Sequence, residues 1–253
     1  MNQDSILYVE GEDKEMNRAI QKAQDTFKYF WREMTWEYRR IVPAFQLACV
    51  KVIFTQEIQG KTETEHMWIN DIHFDGDNIY GTLINEPDVL TNVKNQDLVK
   101  VPLSQISDWL LANDHTLGGF TIQLMRSRMN KEELREHDEA WGLNFGDFNN
   151  VMVVMGQDEN PENLIEHPMS INMREKFQEY LINNQTDISQ IDEDGYTMLH
   201  NETIGGNKTI VEVLLAAGAD PSVRTASGKT ALDFAKQSKW NHIISVLENI
   251  PAK

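Results

Sequence analysis

Asp194-Gly195-Tyr196-Thr197-Met198-Leu199-His200 is answered 33 positions later by Ser227-Gly228-Lys229-Thr230-Ala231-Leu232-Asp233. In both stretches a turn glycine precedes a threonine, and a leucine follows two residues on. Val211 to Ala217, between them, reads as a second helix, with Gly218 as its stop and Ala219-Asp220-Pro221 as a reverse turn. One period back, Leu181 and Ile182 fall under Leu214 and Leu215, and Asp187 falls under Asp220; one period forward, Leu247 falls under Leu214. A fixed spacing of this size predicts helical pairs stacked so that each unit buries its apolar face on its neighbour.

This period and pattern resemble ankyrin repeats. Two repeats are recognisable, at about 195 to 227 and 228 to 250, preceded by a degenerate half repeat from about 168 to 194, so that the repeat region covers 168–253. The sequence departs from the family's T-P-L-H-x-A at Met198, where proline is expected, at Glu202, where a small residue is expected, and at Asp233, where the second histidine would stand. Thr197 and His200 keep their places, and the resemblance makes them scaffold that ties one turn to the next. It also implies recognition of another protein through the projecting turn and the adjoining first helix, here Asp192, Glu193, Asp194, Tyr196, Asn201, Glu202 and Arg224. Fewer than three good repeats bury too little surface to stand alone, so one end of the stack is expected to rest on the rest of the protein.

A chain of 253 residues with 40% hydrophobic content holds one large core or two modest ones, and the repeats argue for two. Met1-Asn2-Gln3-Asp4 lacks the basic start and apolar run of a leader, and no stretch of eighteen apolar residues occurs, so a cytoplasmic protein with no membrane partner is expected. The single Cys49 lies in the apolar run Leu47 to Phe54 and reads as a buried strand residue, not a nucleophile. The net charge of −17 is spread over both halves, with 15 Lys and Arg against 25 Asp and Glu in residues 1 to 150, and 8 against 15 in the remainder. Such a field repels nucleic acid and favours a basic protein partner.

In the N-terminal part, Met16, Ile20, Ala23, Phe27, Phe30 and Met34 line one face of a helix from Glu12 to Arg40. Its extra aromatics, Trp31, Trp36 and Tyr38, are expected in a core or domain interface. Strands are expected at Leu47 to Ile58, Glu65 to Phe74, Asn78 to Ile84, Leu98 to Pro102 and Gly119 to Arg126. Asp75-Gly76-Asp77-Asn78 supplies a hairpin, and Ser104 to Leu111 a short helix or turn. Arg126, Arg128, Lys131 and Arg135, offset by Glu132, Glu133, Glu136, Asp138 and Glu139, read as a solvent-facing helix. An aromatic turn at Trp141 to Phe148 leads to an additional strand at Val151 to Met155. The fold class is therefore α+β: an antiparallel sheet with a long packing helix in 1–156, a linker at 157–167, and a short all-α stack in 168–253.

Val50-Lys51-Val52, Glu65-His66-Met67-Trp68, Asn85-Glu86-Pro87, Ile106-Ser107-Asp108-Trp109 and Gly118-Gly119-Phe120-Thr121-Ile122 occur in the order that resembles the YegJ-like bacterial domain of unknown function, over about residues 14 to 128. The resemblance implies a bacterial source and a compact α+β domain, and no activity.

The sequence carries little reactive or metal-binding chemistry. The seven histidines never form a pair three or four residues apart, and one cysteine cannot complete a zinc site, so no metal and no cofactor is expected. Asp75-Gly76-Asp77 begins like a calcium loop, but Ile79 and Tyr80 stand where a ligand and a glycine are needed. Phosphate-cradling and nucleophile-elbow patterns are missing. A ligand site in the N-terminal domain would use Glu65, His66, Trp68, Asp108 and Trp109, a histidine among carboxylates being able to act as a general base where the fold brings them together. Asp108 reads more simply as the residue that pins the Trp109 turn. The expected function is a noncatalytic protein-binding protein, in its sharper form a bacterial immunity protein that neutralises a cognate basic toxin. The alternative is an enzyme or small-ligand sensor with the repeats as a targeting arm.

Overall fold

The computed structural model describes residues 13–249. The readings of Met1 to Asp4, of a helix start at Glu12, and of the ends of 1–156 and 168–253 lie outside the described residues. The chain divides into two compact units, one containing residues up to Phe30 together with Arg40–Val153, the other Trp31–Arg39 together with the chain from Val154 onward.

In the first unit, helix α1 (Lys14–Glu37) contributes its residues up to Phe30. Strands β1 (Leu47–Ile58), β2 (Lys61–Phe74), β3 (Asn78–Leu83), β4 (Leu98–Pro102), β5 (Ile106–Ala112) and β6 (Thr116–Gly118) form one antiparallel sheet in the order β4-β3-β2-β1-β5-β6. Val50 stands opposite both Ile69 and Trp109, and all three are fully buried. This face meets α1: the Trp109 indole N–H donates to the Ala23 carbonyl at 3.1 Å, and Phe27 meets Phe74 edge-on. The opposite face carries a second cluster of Cys49 and Leu110 with Ile122 and Phe145, against which Trp68 and Trp141 pack.

The hairpin forms as its sequence directs, with the Asp75 carboxylate accepting from the Asp77 and Asn78 backbone N–H groups. Two expected elements are exchanged. Ile106 to Ala112, expected mostly as a helix or turn, is strand β5, buried at every position. Gly119 to Arg126, expected as a strand, is helix α2 (Phe120–Ser127), because the Asp108 carboxylate accepts from the backbone N–H groups of Phe120 and Thr121 and so satisfies the helix's first donors. Gly118 at φ 75° makes the approach possible, since a Cβ there would lie 2.4 Å from the Trp109 carbonyl oxygen. Helix α3 (Lys131–Trp141) starts on an Asn130–Glu133 capping box. Arg126, expected in solvent, is instead buried and holds Asp138 at 2.7 Å. Val151 to Met155 forms no strand, although its Met152 carbonyl accepts a hydrogen bond from the Gly118 N–H at 2.8 Å.

In the second unit, α4 (Pro168–Asn172) and α5 (Arg174–Asn183) precede two helix pairs, α6 (Met198–Ile204) with α7 (Lys208–Ala216), and α8 (Ala231–Gln237) with α9 (Asn241–Glu248). The 33-residue echo is an echo of caps. The Thr197 hydroxyl accepts from the His200 N–H while the His200 ring takes the Thr197 N–H, and Thr230 and Asp233 repeat this reciprocal pair. Trp240 packs over Gly206, whose φ of 74° and missing Cβ leave room for the indole. The last residues of α1 belong to this unit: Trp36 donates its indole N–H to Asn207 Oδ1 at 2.9 Å and stacks on His167, while Arg39 reaches Glu202 at 2.5 Å.

Candidate functional site

The repeat unit presents its surface on an internally satisfied scaffold. His200 Nδ1 sits 2.9 Å from the Thr197 hydroxyl, and its Nε2 is 3.2 Å from the Val223 carbonyl of the next repeat's entry. Burial, opposed by the Val223 and Lys229 backbone and by the Asp192 charge, holds the ring's pKa below the ordinary value, which favours the neutral tautomer this bridging uses. The turn at 192–195 is braced by Asp192 Oδ1, which accepts from the Asp194 and Tyr196 N–H groups. It is tied to the following turn by Ala226 N–H donating to the Asp194 carbonyl at 2.7 Å.

Asp192, Glu193, Asp194, Asn201 and Arg224 are exposed on turns and on α6. Tyr196 is half-buried, stacked on Phe234 and edge-on to His200, so much of its ring serves the contact between repeats. Arg224 lends its guanidinium to the Gly228 carbonyl. Glu202 lies inside: it is 3% exposed, accepts from the Asn207 side chain at 2.8 Å and pairs with Arg39. Its carboxylate is engaged within the unit, by Arg39 and Asn207. A polar residue where the repeat pattern asks for a small one is the sequence signal of this contact.

The five residues considered for a ligand site divide between the two faces of the sheet. Glu65 and Trp109 point to the buried α1 side, where Glu65 is 2% exposed and accepts from the backbone N–H groups of Asp88, Val89 and Leu90. His66 and Trp68 alternate with Glu65 and Met67 and so lie on the other face. There Lys51 stands between Trp68 and Asp108 in register and lies 5.4 Å from the Trp68 ring. Burial first, then the Lys51 charge, lowers the His66 pKa to about 4. Asp108 is fully buried and its oxygens take Trp109 N–H, Phe120 N–H, Thr121 N–H and the Thr121 hydroxyl. Burial pushes its carboxyl up against the pull of the Thr121 and Trp109 donors and of Lys51. Glu65 and His66 therefore do not form a dyad, and Asp108 acts as a helix cap. Among the described residues no group of three His, Cys, Asp or Glu stands close enough to hold a metal ion, and no helix is long and apolar enough to cross a membrane.

The geometry defines an α+β sheet domain joined to an ankyrin-repeat stack, a class that presents surface for protein–protein contact. Residues 13–145 match the family described as "Uncharacterized protein conserved in bacteria (DUF2314)", and the chain belongs to it; residues 181–235 match "Ankyrin repeats (many copies)". A protein of Neisseria meningitidis serogroup B named as an ankyrin repeat protein (NMB1133/NMB1171) is 49% identical over 98% of both chains. The uncharacterised protein YegJ of Escherichia coli is 34% identical over 29% of this chain and 48% of its own. The mouse ankyrin repeat and SAM domain-containing protein 6 is 32% identical over 41% of this chain and 13% of its own.

Proposed function

We propose that the chain is a noncatalytic binding protein whose repeat unit engages a basic protein. The carrying observation is the exposed acidic turn Asp192-Glu193-Asp194, braced by its own Asp192 carboxylate on a scaffold whose threonine and histidine are already committed to each other. A net charge of −17 favours encounter with a positively charged partner and disfavours nucleic acid. The division of Glu65, His66, Trp68, Asp108 and Trp109 between two faces supports binding over ligand sensing or catalysis. In its sharper form, the protein is a cytoplasmic immunity protein that neutralises a cognate toxin, by analogy with small acidic ankyrin-repeat proteins encoded beside secreted toxins.

The test is co-expression with the product of the neighbouring gene. Co-purification of a stoichiometric complex, with relief of that product's toxicity, is the expected result. An innocuous neighbour that elutes separately would contradict the sharper form, and the absence of any protein partner would contradict the binding function itself.

A further inference from the structure

Between the end of α1 at Glu37 and the start of β1 at Leu47, the chain runs through Tyr38-Arg39-Arg40-Ile41-Val42-Pro43 and on to Gln46 with neither helix nor strand. Its two ends are fixed: Tyr38 N–H donates to the Met34 carbonyl at 3.0 Å, and Gln46 N–H to the Ala112 carbonyl at 2.8 Å. Ile41 is 100% exposed and Val42 76%, and among the described residues Ile41, Val42 and Pro43 make no hydrogen bond. Adjacent β-branched side chains in open water, on backbone with no internal bond, mark a segment that leaves the fold easily. The two arginines before it differ. Arg39 is turned inward, its guanidinium 2.5 Å from Glu202 and 4.6 Å from the centre of the Trp36 ring. Arg40 is exposed and lies directly before Ile41. Other basic residues in turns are tied down: Asp97 N–H closes on the Lys94 carbonyl at 3.1 Å, Thr225 N–H on the Lys229 carbonyl at 2.9 Å, and Arg224 holds the Gly228 carbonyl. Endopeptidases take their substrates as extended strands, so they cut where an exposed stretch of backbone is unbonded.

We propose that the Arg40–Ile41 peptide bond is a processing site, cut by an endopeptidase whose specificity pocket takes arginine. Arg40 enters that pocket while Ile41 and Val42 lie extended beyond the scissile bond. Water is the co-reactant: the C–N bond breaks, the water oxygen joins the Arg40 carbonyl carbon to leave a carboxylate, and its protons leave on the Ile41 nitrogen as an ammonium. The contacts of α1 outlast the cut. Its body stays bonded through the Ala23 carbonyl to the Trp109 indole N–H, and its tail through Trp36 to Asn207 and through Glu33 to His167. Cleavage therefore replaces the covalent link between α1 and β1 with noncovalent contacts and yields a two-chain protein whose hold on α1 depends on concentration. This chemistry is separate from partner binding and is the same whichever protein the repeats engage.

The test digests the full native chain with a trace of trypsin and follows the fragments by intact mass. The first cut is expected at Arg40–Ile41, giving residues 1–40 and 41–253, which elute together on size exclusion. Arg40→Gln should slow that cut by about tenfold or more, through loss of the side chain the pocket requires. Ile41→Pro keeps Arg40 and places an imide at the scissile bond, and it should block the cut as well. Both residues are exposed, so each variant should unfold within a few degrees of the parent, which separates loss of the site from loss of the fold. A first cut at another residue, parent-rate cleavage of both variants at this bond, or separation of the two fragments on the column would overturn the proposal. Processing itself is read on the chain recovered from the cells that make it. A species beginning at Ile41, lost in Arg40→Gln, is the expected result; a parent chain recovered wholly uncut would overturn the assignment.

Discussion

Replacing Asn207 with alanine probes the join between the tail of α1 and the repeats. Asn207 is fully buried, accepts the Trp36 indole N–H at 2.9 Å and donates to Glu202 Oε2 at 2.8 Å. Truncation strands two buried groups at once. An unsatisfied buried donor or acceptor costs about 1–3 kcal/mol, so Asn207→Ala should destabilise the repeat unit by about 3–4 kcal/mol. Trp36→Phe keeps an aromatic ring over His167 and loses only the N–H, leaving Asn207 Oδ1 unpaired at about 1–2 kcal/mol. Because both changes break the same hydrogen bond, the double variant should fall short of their sum by about 1 kcal/mol. Urea unfolding followed by circular dichroism and tryptophan fluorescence supplies all four corners of the cycle. A loss below about 1 kcal/mol for Asn207→Ala, or strict additivity, would refute the view that this contact ties the helix tail to the stack.

Acid sensitivity follows from the histidines. The folded pKa of His66 lies near 4 against an ordinary 6.5, so between these values the unfolded chain binds more protons and stability falls as pH falls from about 7 to about 4. His200 and His242, lowered by burial, act in the same direction. His66→Gln should flatten this slope by at most about 3 kcal/mol across the window, measured by urea midpoints at each pH; an unchanged slope would contradict the burial of the ring. Gly118→Ala should prevent soluble folding or cost several kcal/mol, about 3 or more, since its methyl would strike the Trp109 carbonyl and ring; a melting temperature like the parent's would contradict the packing. Cys49 is buried, and that burial, with the Asp108 charge, pushes its thiol far above the ordinary range, so a thiol reagent should label it only in denaturant.

The repeats were legible because their signal is local: a threonine cap, a leucine and a glycine stop recur at one offset. The hairpin at Asp75 and the stripe of α1 were legible for the same reason. The exchange between β5 and α2 had no local signal. Ile106 to Ala112 is buried on both faces and carries Ser107 and Asp108 near its start, so it shows no two-residue alternation. Phe120-Thr121-Ile122 resembles strand sequence, and the carboxylate that turns it into a helix comes from Asp108, twelve residues earlier. At the candidate surface, Glu202 departed visibly from the repeat pattern, but its partners Arg39 and Asn207 are supplied by a distant helix tail and by the helix entry, so its internal role could not be read from spacing.

Isothermal titration of the full chain with the neighbouring gene's product, repeated over a salt series, addresses the central claim that the molecule acts by acidic surface contact alone. The account predicts a one-to-one complex that weakens steadily as salt rises and leaves both chains covalently unchanged by mass spectrometry. Salt-independent binding, or a chemically altered partner after mixing, would contradict it.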